Sequence, residues 1–449
     1  MLEQQSVAAP TLATRAKWSV FRVLEWAANL RARLRSGRNR ADETQAPGAA
    51  ASSERRFWVF VSTIGELNAI EPFLKAFLAA AGDPPLLLIS DHEHYRDPYL
   101  AKYPAAEFAC LRGVIADAAR LIRAFPPRAL LIAEIPCVLS DAPCRLSFSI
   151  VYELKRRGVP VCLVNGWLYH YAPESRLDAI ERRWFNREYL RLIDTLIVQT
   201  EEVKRYLVDH GGDPAHIDVA GNIKFDAMAT GGWSPERARS PELLREVQAG
   251  GRPCIVAGCV TEFEDQEFIL SAFGKVLAAV PEAFLVLAPR HPEFKDRMEK
   301  LEALLRSRDY RHAFRSRLNG ARLPTDAQVL VLDTIGELKD FYAIATLAFV
   351  GVDHNVLEPL AFDKPVFVKP GWEATYPSYP VYRLLRQHDV LIEVADDAEL
   401  AREWTALLLD PERRRTQAQR IDAVLARERG ASRRCLELLA ARGWLPAMR

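Results

Sequence analysis

No C-x-x-C pair occurs among the seven cysteines (Cys110, Cys137, Cys144, Cys162, Cys254, Cys259 and Cys435), their number is odd, and most sit in apolar runs. That pattern argues against a disulfide framework or a structural zinc site and describes reduced core residues in a reducing compartment. Charge of one sign is also lacking, with 60 basic side chains against 59 acidic ones. Nothing in that balance asks for a nucleic-acid surface, and any cationic site must be local. No run of about 18 apolar residues exists to span a bilayer, and the start lacks the charged, apolar and small-residue succession of a secretory leader. The expected location is cytoplasmic. Also missing are a GxxxxGK[ST] phosphate loop, a GxSxG nucleophile elbow, an HExxH pair, and a glycine-rich fingerprint followed by an acidic residue about 20 positions later. A phosphate-loop ATPase, a serine hydrolase, a zincin and a nicotinamide enzyme are all disfavoured.

What is present begins with a repeat. TIGEL occurs at Thr63 to Leu67 and again at Thr334 to Leu338, each time after a buried-strand pattern, FWVFVS and VLVLD. Thr-x-x-Glu is the capping-box signature of a helix start, so both copies predict a strand-to-helix turn. Such a turn presents unpaired backbone N–H groups and a positive dipole end, which suits phosphate, while its glutamate can act as acid or base.

The 449 residues allow two or three domains at about 150 residues each. Residues 13–40 place Trp18, Phe21, Leu24 and Ala28 at helical spacing among Arg22, Arg31, Arg33, Arg35, Arg38 and Arg40, followed by the linker-like ADETQAPGAAASSE. This reads as an interfacial membrane helix, as a helix packed on the body of the protein, or as a frayed terminus. From residue 56 strands and helices alternate through HIDVAGNIKFD, GGWSPERARSPE has the composition of a hinge, and a second alternation runs from RPCIVAGC to VLIEV. The expected organisation is therefore 1–54 as basic amphipathic helix and linker, 55–230 as one Rossmann-like domain, and 231–449 as a second. In this α/β arrangement the parallel sheets are covered on both faces, with ligands where strand C-termini meet across a cleft.

In the second half the informative loops all fall at strand ends: Gly258 to Thr261, Pro289 to Pro292, the second TIGEL, and Val352 to Pro359. Arg290, beside His291, offers a forked cation for phosphate. Gly336 and Glu337 offer N–H groups, and Glu358 can accept from a ribose diol, which together suggest a nucleotide site. Each has a plainer reading: Arg290 as a surface ion pair, the PRHP segment as a turn, Asn355 as a helix cap, Glu358 as a first-turn residue favoured by the dipole. Asp91, His92, Glu93 and His94 resemble metal ligands, but alternation within one loop rarely aims a full set, and no bound metal is expected there.

The order of motifs resembles one family, the Kdo (3-deoxy-D-manno-octulosonic acid) transferases of lipopolysaccharide biosynthesis, which are inverting GT-B glycosyltransferases. The similar segments, in order, are TIGELNA at Thr63, ELKRRGVPVCLVN at Glu153, QTEE at Gln199, GNIKFD at Gly221, AGCVTEFEDQE at Ala257, PRHPE at Pro289, DTIGELKDFYAIATLAFVG at Asp333 and HNVLEPLAFDKPV at His354. The resemblance implies a CMP-Kdo donor and a lipid A-type or other glycolipid or saccharide acceptor, with action at the cytoplasmic face of the inner membrane. It puts Glu66 in the place of the catalytic base. The backbone at Ile335, Gly336 and Glu337, supported by Arg290, would contact the CMP phosphate, while Asn355 and Glu358 hold the donor. The other reading of Glu66 is that it closes its own capping box, where a helix N-terminus lowers its pKa and weakens it as a base. Because a nucleoside monophosphate leaves readily once its charge is met by N–H groups and a guanidinium, the reaction is expected to need no metal or other cofactor.

The chain departs from the family in three loops. The glycine-rich segment before HNxLEP is cut to Gly351-Val352-Asp353, a glutamate and tryptophan segment is reduced to Ala133-Glu134-Ile135-Pro136-Cys137, and a basic segment becomes Gly166-Trp167-Leu168-Tyr169-His170-Tyr171. Fewer cations and more aromatics favour sugar stacking or an uncharged acceptor over a phosphorylated disaccharide. A UDP-sugar transferase or epimerase of the same fold, or an inactive homologue kept as a binding subunit, are the alternative readings.

Overall fold

Parallel strands covered on both faces must be apolar on both faces, and the central strands here are: β1 (Arg56–Phe60, RFWVF) and β2 (Leu86–Ser90, LLLIS) are buried at every position. The computed structural model describes residues 8–36, 54–111, 116–134, 146–168, 176–227, 233–318, 322–374, 376 and 378–445. Several segments singled out in the sequence lie outside them: the linker 41–53, Ile135 to Cys137 with Cys144, Tyr169 to Tyr171, and the first two residues of the GGWSPERARSPE hinge.

The chain divides into two compact units, Met1–Ala227 with Glu428–Arg449, and Met228–Arg427. The first holds a seven-stranded sheet in the order β3-β2-β1-β4-β5-β6-β7, adding β3 (Glu107–Cys110), β4 (Pro127–Ala133), β5 (Val161–Gly166), β6 (Thr195–Val198) and β7 (Ile217–Val219). The second holds β8 (Cys254–Val260), β9 (Phe284–Pro289), β10 (His312–Phe314), β11 (Val329–Val331), β12 (Leu347–Val350), β13 (Val366–Val368) and β14 (Leu391–Glu393) in the order β10-β11-β9-β8-β12-β13-β14. Every pairing is parallel. The strand order reverses beside β1 in the first sheet and beside β8 in the second, which also has a second reversal near its β10 edge. The loops leaving β1 and β4, and those leaving β8 and β12, therefore flank the crevice where such sheets bind ligands.

Two boundaries differ from the sequence expectation. Residues 428–449, assigned with 231–449, return to the first unit. Ala431, Cys435, Leu439, Trp444 and Leu445 enter the core built on Phe57, Leu74 and Ile223. The Asp226 carboxylate accepts from Gly430 N and Ser432 N, both at 2.6 Å, and Trp444 Nε1 donates to Thr195 Oγ1 at 3.1 Å. The N-terminal stretch, set apart as 1–54, forms a helix over Leu12–Ser36 that packs on the body, one of the readings given for it: Trp18 and Phe21 are buried against Phe148, Tyr152 and Phe185. Ala8 N donates to Asp194, which also pairs with the buried Lys155. Two strands are absent from the sequence reading, β3 and β10. Both are edge strands with half-exposed residues, so they lack the continuous apolar run that marked the others.

Candidate functional site

Glu66 enters the structure from the turn after β1. Thr63 caps the helix Ile64–Ala80, its Oγ1 accepting from Glu66 N at 3.3 Å, as the first TIGEL predicts. The glutamate carboxylate turns back to accept from Ser62 N at 2.9 Å, with the Thr63 N–H also acting on it. It is 3% exposed. Glu134, fully buried, leaves β4 beside it in the left-handed region at φ 62°. The Glu134 carboxylate accepts from Asn165 Nδ2 at 2.8 Å and pairs with Lys224 Nζ at 3.2 Å. Asn165, itself at φ 56°, accepts from Ile223 N on Oδ1 (2.9 Å) and from Gln199 Nε2 on its carbonyl (3.0 Å). These side chains come from the ends of β4, β5 and β6 and from the GNIKFD segment.

Burial first, and then the charge of Glu134, push the Glu66 carboxyl up to about 8; the Ser62 and Thr63 N–H groups and Lys224 pull the other way without prevailing. This reverses the expected effect of a helix N-terminus, because desolvation and a like charge outweigh the dipole. Glu66 is thus held largely as the neutral acid near pH 7 and becomes, once ionised, a stronger base than an ordinary carboxylate. Sequence reading quoted Glu134 and Lys224 inside motifs without assigning them a role. A lysine in the apolar run of GNIKFD is the signal that could have drawn attention to the second.

Nearby, Ser62 Oγ donates to Asp91 at 2.9 Å, and Glu93 pairs with Arg96 at 2.8 Å. His92 Nε2 stands 3.8 Å from Asp91. Among the described residues no group of His, Cys, Asp and Glu is arranged to hold a metal ion.

In the second unit the loops after β8, β9 and β12 meet. Arg290 Nη1 lies 3.3 and 3.5 Å from the ring nitrogens of His354, whose Nε2 is 3.2 Å from Thr261 Oγ1. Burial, and next Arg290 and His291, push the His354 imidazole down to about 4, so it is neutral at physiological pH. No carboxylate of the described residues stands within ion-pair distance of Arg290, which leaves that guanidinium free to receive an anion. His291 and Asp353 adopt left-handed φ of 58° and 65°, and Cys259 one of 58°. Strained residues at three adjacent strand ends are a common mark of ligand sites. The His291 side chain is already engaged, with Nδ1 2.9 Å from Glu293.

Asn355 Oδ1 accepts from Leu357 N at 3.1 Å, and its Nδ2 stands 3.4 Å from Glu358 Oε1. Burial raises the Glu358 carboxyl, opposed by Lys339 and Asn355. Glu358 and Arg290 both act on the Cys259 thiol, which burial raises to about 12, so the two converge on the end of β8.

The second TIGEL departs from its predicted form. The helix begins only at Leu338 and spans seven residues, with Glu337 at its cap position, so Thr334 makes no capping box. Instead the Glu337 carboxylate is buried and accepts from Thr334 Oγ1, Ser240 Oγ and Arg315 Nε, the last at 3.1 Å. Gly336 takes φ 92°, Ile335 is 75% exposed, and Arg239 donates to the Ile335 carbonyl. No backbone carbonyl of the described residues accepts from the N–H groups of Ile335, Gly336 or Glu337. The turn ends β11, two strands from β8. Arg239, Ser240 and Arg315 went unnoticed in the sequence because they come from a hinge-like loop and an edge strand's flank.

The chain is similar to known proteins. The model of a family described as 3-deoxy-D-manno-octulosonic-acid transferase (kdotransferase) matches residues 29–227. A 3-deoxy-D-manno-octulosonic acid transferase of Haemophilus influenzae is 34% identical over 302 residues, 65% of this chain and 66% of that protein. One of Bordetella pertussis is 29% identical over 410 residues, 85% of this chain and 86% of that protein. Among solved structures, a glycosyltransferase from Rickettsia africae superposes with a TM-score of 0.56 at 14% identity over 87% of this chain and 99% of that one. At that identity the likeness shows the fold, which is α/β of the GT-B type.

Proposed function

The chain belongs to the Kdo transferase family, and on that premise we propose that it moves Kdo or a related acidic sugar from a CMP-activated donor to a glycolipid or saccharide acceptor. In this reading it acts with inversion, and Glu66 is the general base. The observation that carries the proposal is the buried Glu66 carboxyl at the β1/β4 switch point, tuned to about 8 between Glu134 and Lys224. An acceptor hydroxyl attacks the anomeric carbon from the face opposite the nucleotide, its oxygen forms the new glycosidic bond, and its proton passes to ionised Glu66. The bond from the anomeric carbon to the phosphate oxygen breaks, and CMP departs with both electrons. The uncompensated Arg290 guanidinium and the N–H groups of Ile335, Gly336 and Glu337 receive its charge, while Asn355 and Glu358 hold the nucleoside. His354, neutral at about 4, adds no charge and sets the position of Arg290.

The test is CMP release from CMP-Kdo in the presence of acceptor. Glu66→Gln is expected to lower turnover by about 10²–10⁴-fold while leaving CMP affinity within about two-fold; near-normal turnover would remove Glu66 from the role. With the leaving group's charge met by protein groups, no metal step is required, so full activity is expected in excess EDTA. Strict dependence on added magnesium or manganese would count against that.

The N-terminal helix supports a second part of the proposal, peripheral contact with the inner membrane. Trp18 and Phe21 are committed to the core, but Leu12, Val20, Val23 and Trp26 are exposed beside Arg15, Arg22 and Lys17. No helix of the described residues is long and apolar enough to cross a membrane. Flotation with anionic liposomes is expected to weaken for Val23→Ser combined with Trp26→Ser, and unchanged flotation would exclude this face as the contact.

A further inference from the structure

One polar atom in the second unit has no partner where partners are within reach. Tyr342 lies on the helix Leu338–Ile344, is 1% exposed, and its phenol oxygen makes no hydrogen bond. The oxygen stands against Gly258 at the end of β8, so closely that a Cβ there would come within 1.9 Å of it. Its titratable neighbours are the Cys259 thiol and the Glu358 carboxyl, both of which push the phenol further up beyond the effect of burial. Trp18 and Trp404 also carry unpartnered indole nitrogens, but these sit within hydrophobic core clusters. A buried hydroxyl without a partner costs stability, and a chain keeps it cheaply only if some state supplies the missing bond.

We propose that Tyr342 is a positioning residue for Glu358: when a nucleotide occupies the site, the phenol donates its O–H to the Glu358 carboxylate and fixes that carboxylate toward the ribose hydroxyls. Burial raises the Glu358 carboxyl above its ordinary value, and Asn355 Nδ2 stands at the long distance of 3.4 Å from it. An ionised carboxylate has lone pairs for both hydroxyls of a ribose diol, the amide and one further donor, whereas the protonated form has fewer. Tyr342 is that donor, placed by the packing of its helix on β8 and on the short helix Leu357–Leu360. The other charged group acting on Glu358 is Lys339, which favours the ionised form, while Arg290 acts on the same Cys259 thiol as Glu358. The remaining donor on the site, His354, is already engaged with Thr261 and Arg290. The inference rests on the reading of Glu358 as a group that holds the nucleoside.

The test is calorimetric titration of the full chain with CMP and with 2′-deoxy-CMP, for the wild type, Tyr342→Phe, Glu358→Gln and the double variant. The wild type is expected to prefer CMP. Tyr342→Phe should weaken CMP binding about ten-fold and bring the two nucleotides close to equal, as loss of a hydrogen bond to a charged group does. Its melting temperature without ligand should not fall, because the change removes a buried hydroxyl that has no partner. In the Glu358→Gln background the same change should have no further effect. A Tyr342→Phe protein that keeps the CMP affinity and the ribose preference within two-fold of wild type overturns the proposal. So does a loss of equal size with and without Glu358. Wild-type protein that binds UMP over CMP would instead overturn the donor reading, and the same comparison run with UMP and 2′-deoxy-UMP would still decide the role of Tyr342.

Discussion

Glu66 and Glu337 occupy the same place in the same pentapeptide, yet their surroundings assign them opposite behaviour. Glu337 is met by Arg315, Ser240 and Thr334, which outweigh its burial and hold its carboxyl below the usual range. Glu66 receives two N–H groups but faces Glu134 in a dry site, and rises to about 8. This has a kinetic and a thermodynamic consequence. The rate measured as kcat/KM should climb with pH, about ten-fold per unit, and level off above pH 8 as Glu66 ionises; Glu66→Gln should lose that limb. His354 at about 4 and Cys259 at about 12 lie too far away to produce it. Because the folded pKa of Glu66 is raised, its contribution to stability is fully present below the ordinary carboxylate value near 4.5 and is lost as pH rises through about 8. The melting temperature of Glu66→Gln relative to wild type should therefore increase between pH 5 and pH 9. A constant difference across that range would show that Glu66 ionises normally. The sequence marked Glu66 as the residue to examine, but not its pKa, because Glu134 is 68 positions away and reaches it only through the neighbouring strand.

At the scale of elements, the turns at strand ends do the positioning, and they do it with little room. Gly351, directly after β12, is such a turn: a Cβ there would stand 2.1 Å from the backbone oxygen of Cys259, which cannot yield as a side chain could. Gly351→Ala should thus cost about 3 kcal/mol of stability and displace Cys259 and His354 together. Urea unfolding would read the first effect and CMP affinity the second; an unchanged midpoint would show that the β8 and β12 ends are looser than this contact implies. The shortened segment Gly351-Val352-Asp353, noted in the sequence as a departure from the family, therefore still brings its loop into van der Waals contact with the one after β8. The central strands were readable as unbroken apolar runs. The edge strands β3 and β10 were not, since a half-solvated edge needs no such run.

At the scale of the whole molecule, the first unit is completed by the last residues of the chain. Asp226 holds Gly430 and Ser432, Arg442 pairs with Asp218 at 2.6 Å, and Trp444 closes on Thr195. A chain ending at Arg427 would leave the apolar surface around Phe57, Leu74 and Ile223 uncovered. Its first unit should lose most of its stability, while the second, which contains Arg290, Tyr342 and Glu358, keeps its melting transition and its nucleotide binding. Two transitions in a calorimetric scan, of which only the one sensitive to CMP survives truncation, would bear this out, and a first unit that melts as before would refute it.

The sequence by itself determined the alternation of strands and helices, the two parallel sheets, the family, and the loops at which chemistry could occur. These follow from local periodicity, capping residues and the order of short motifs, all of which are properties of neighbours in the chain. Only the tertiary structure decided that the second TIGEL is no capping box, that Glu66 is a raised carboxyl held beside Glu134 and Lys224, that Arg290 meets a neutral imidazole, and that the C-terminal helix serves the first unit. Each depends on desolvation or on the approach of residues far apart in sequence. Those are set by which strands lie side by side.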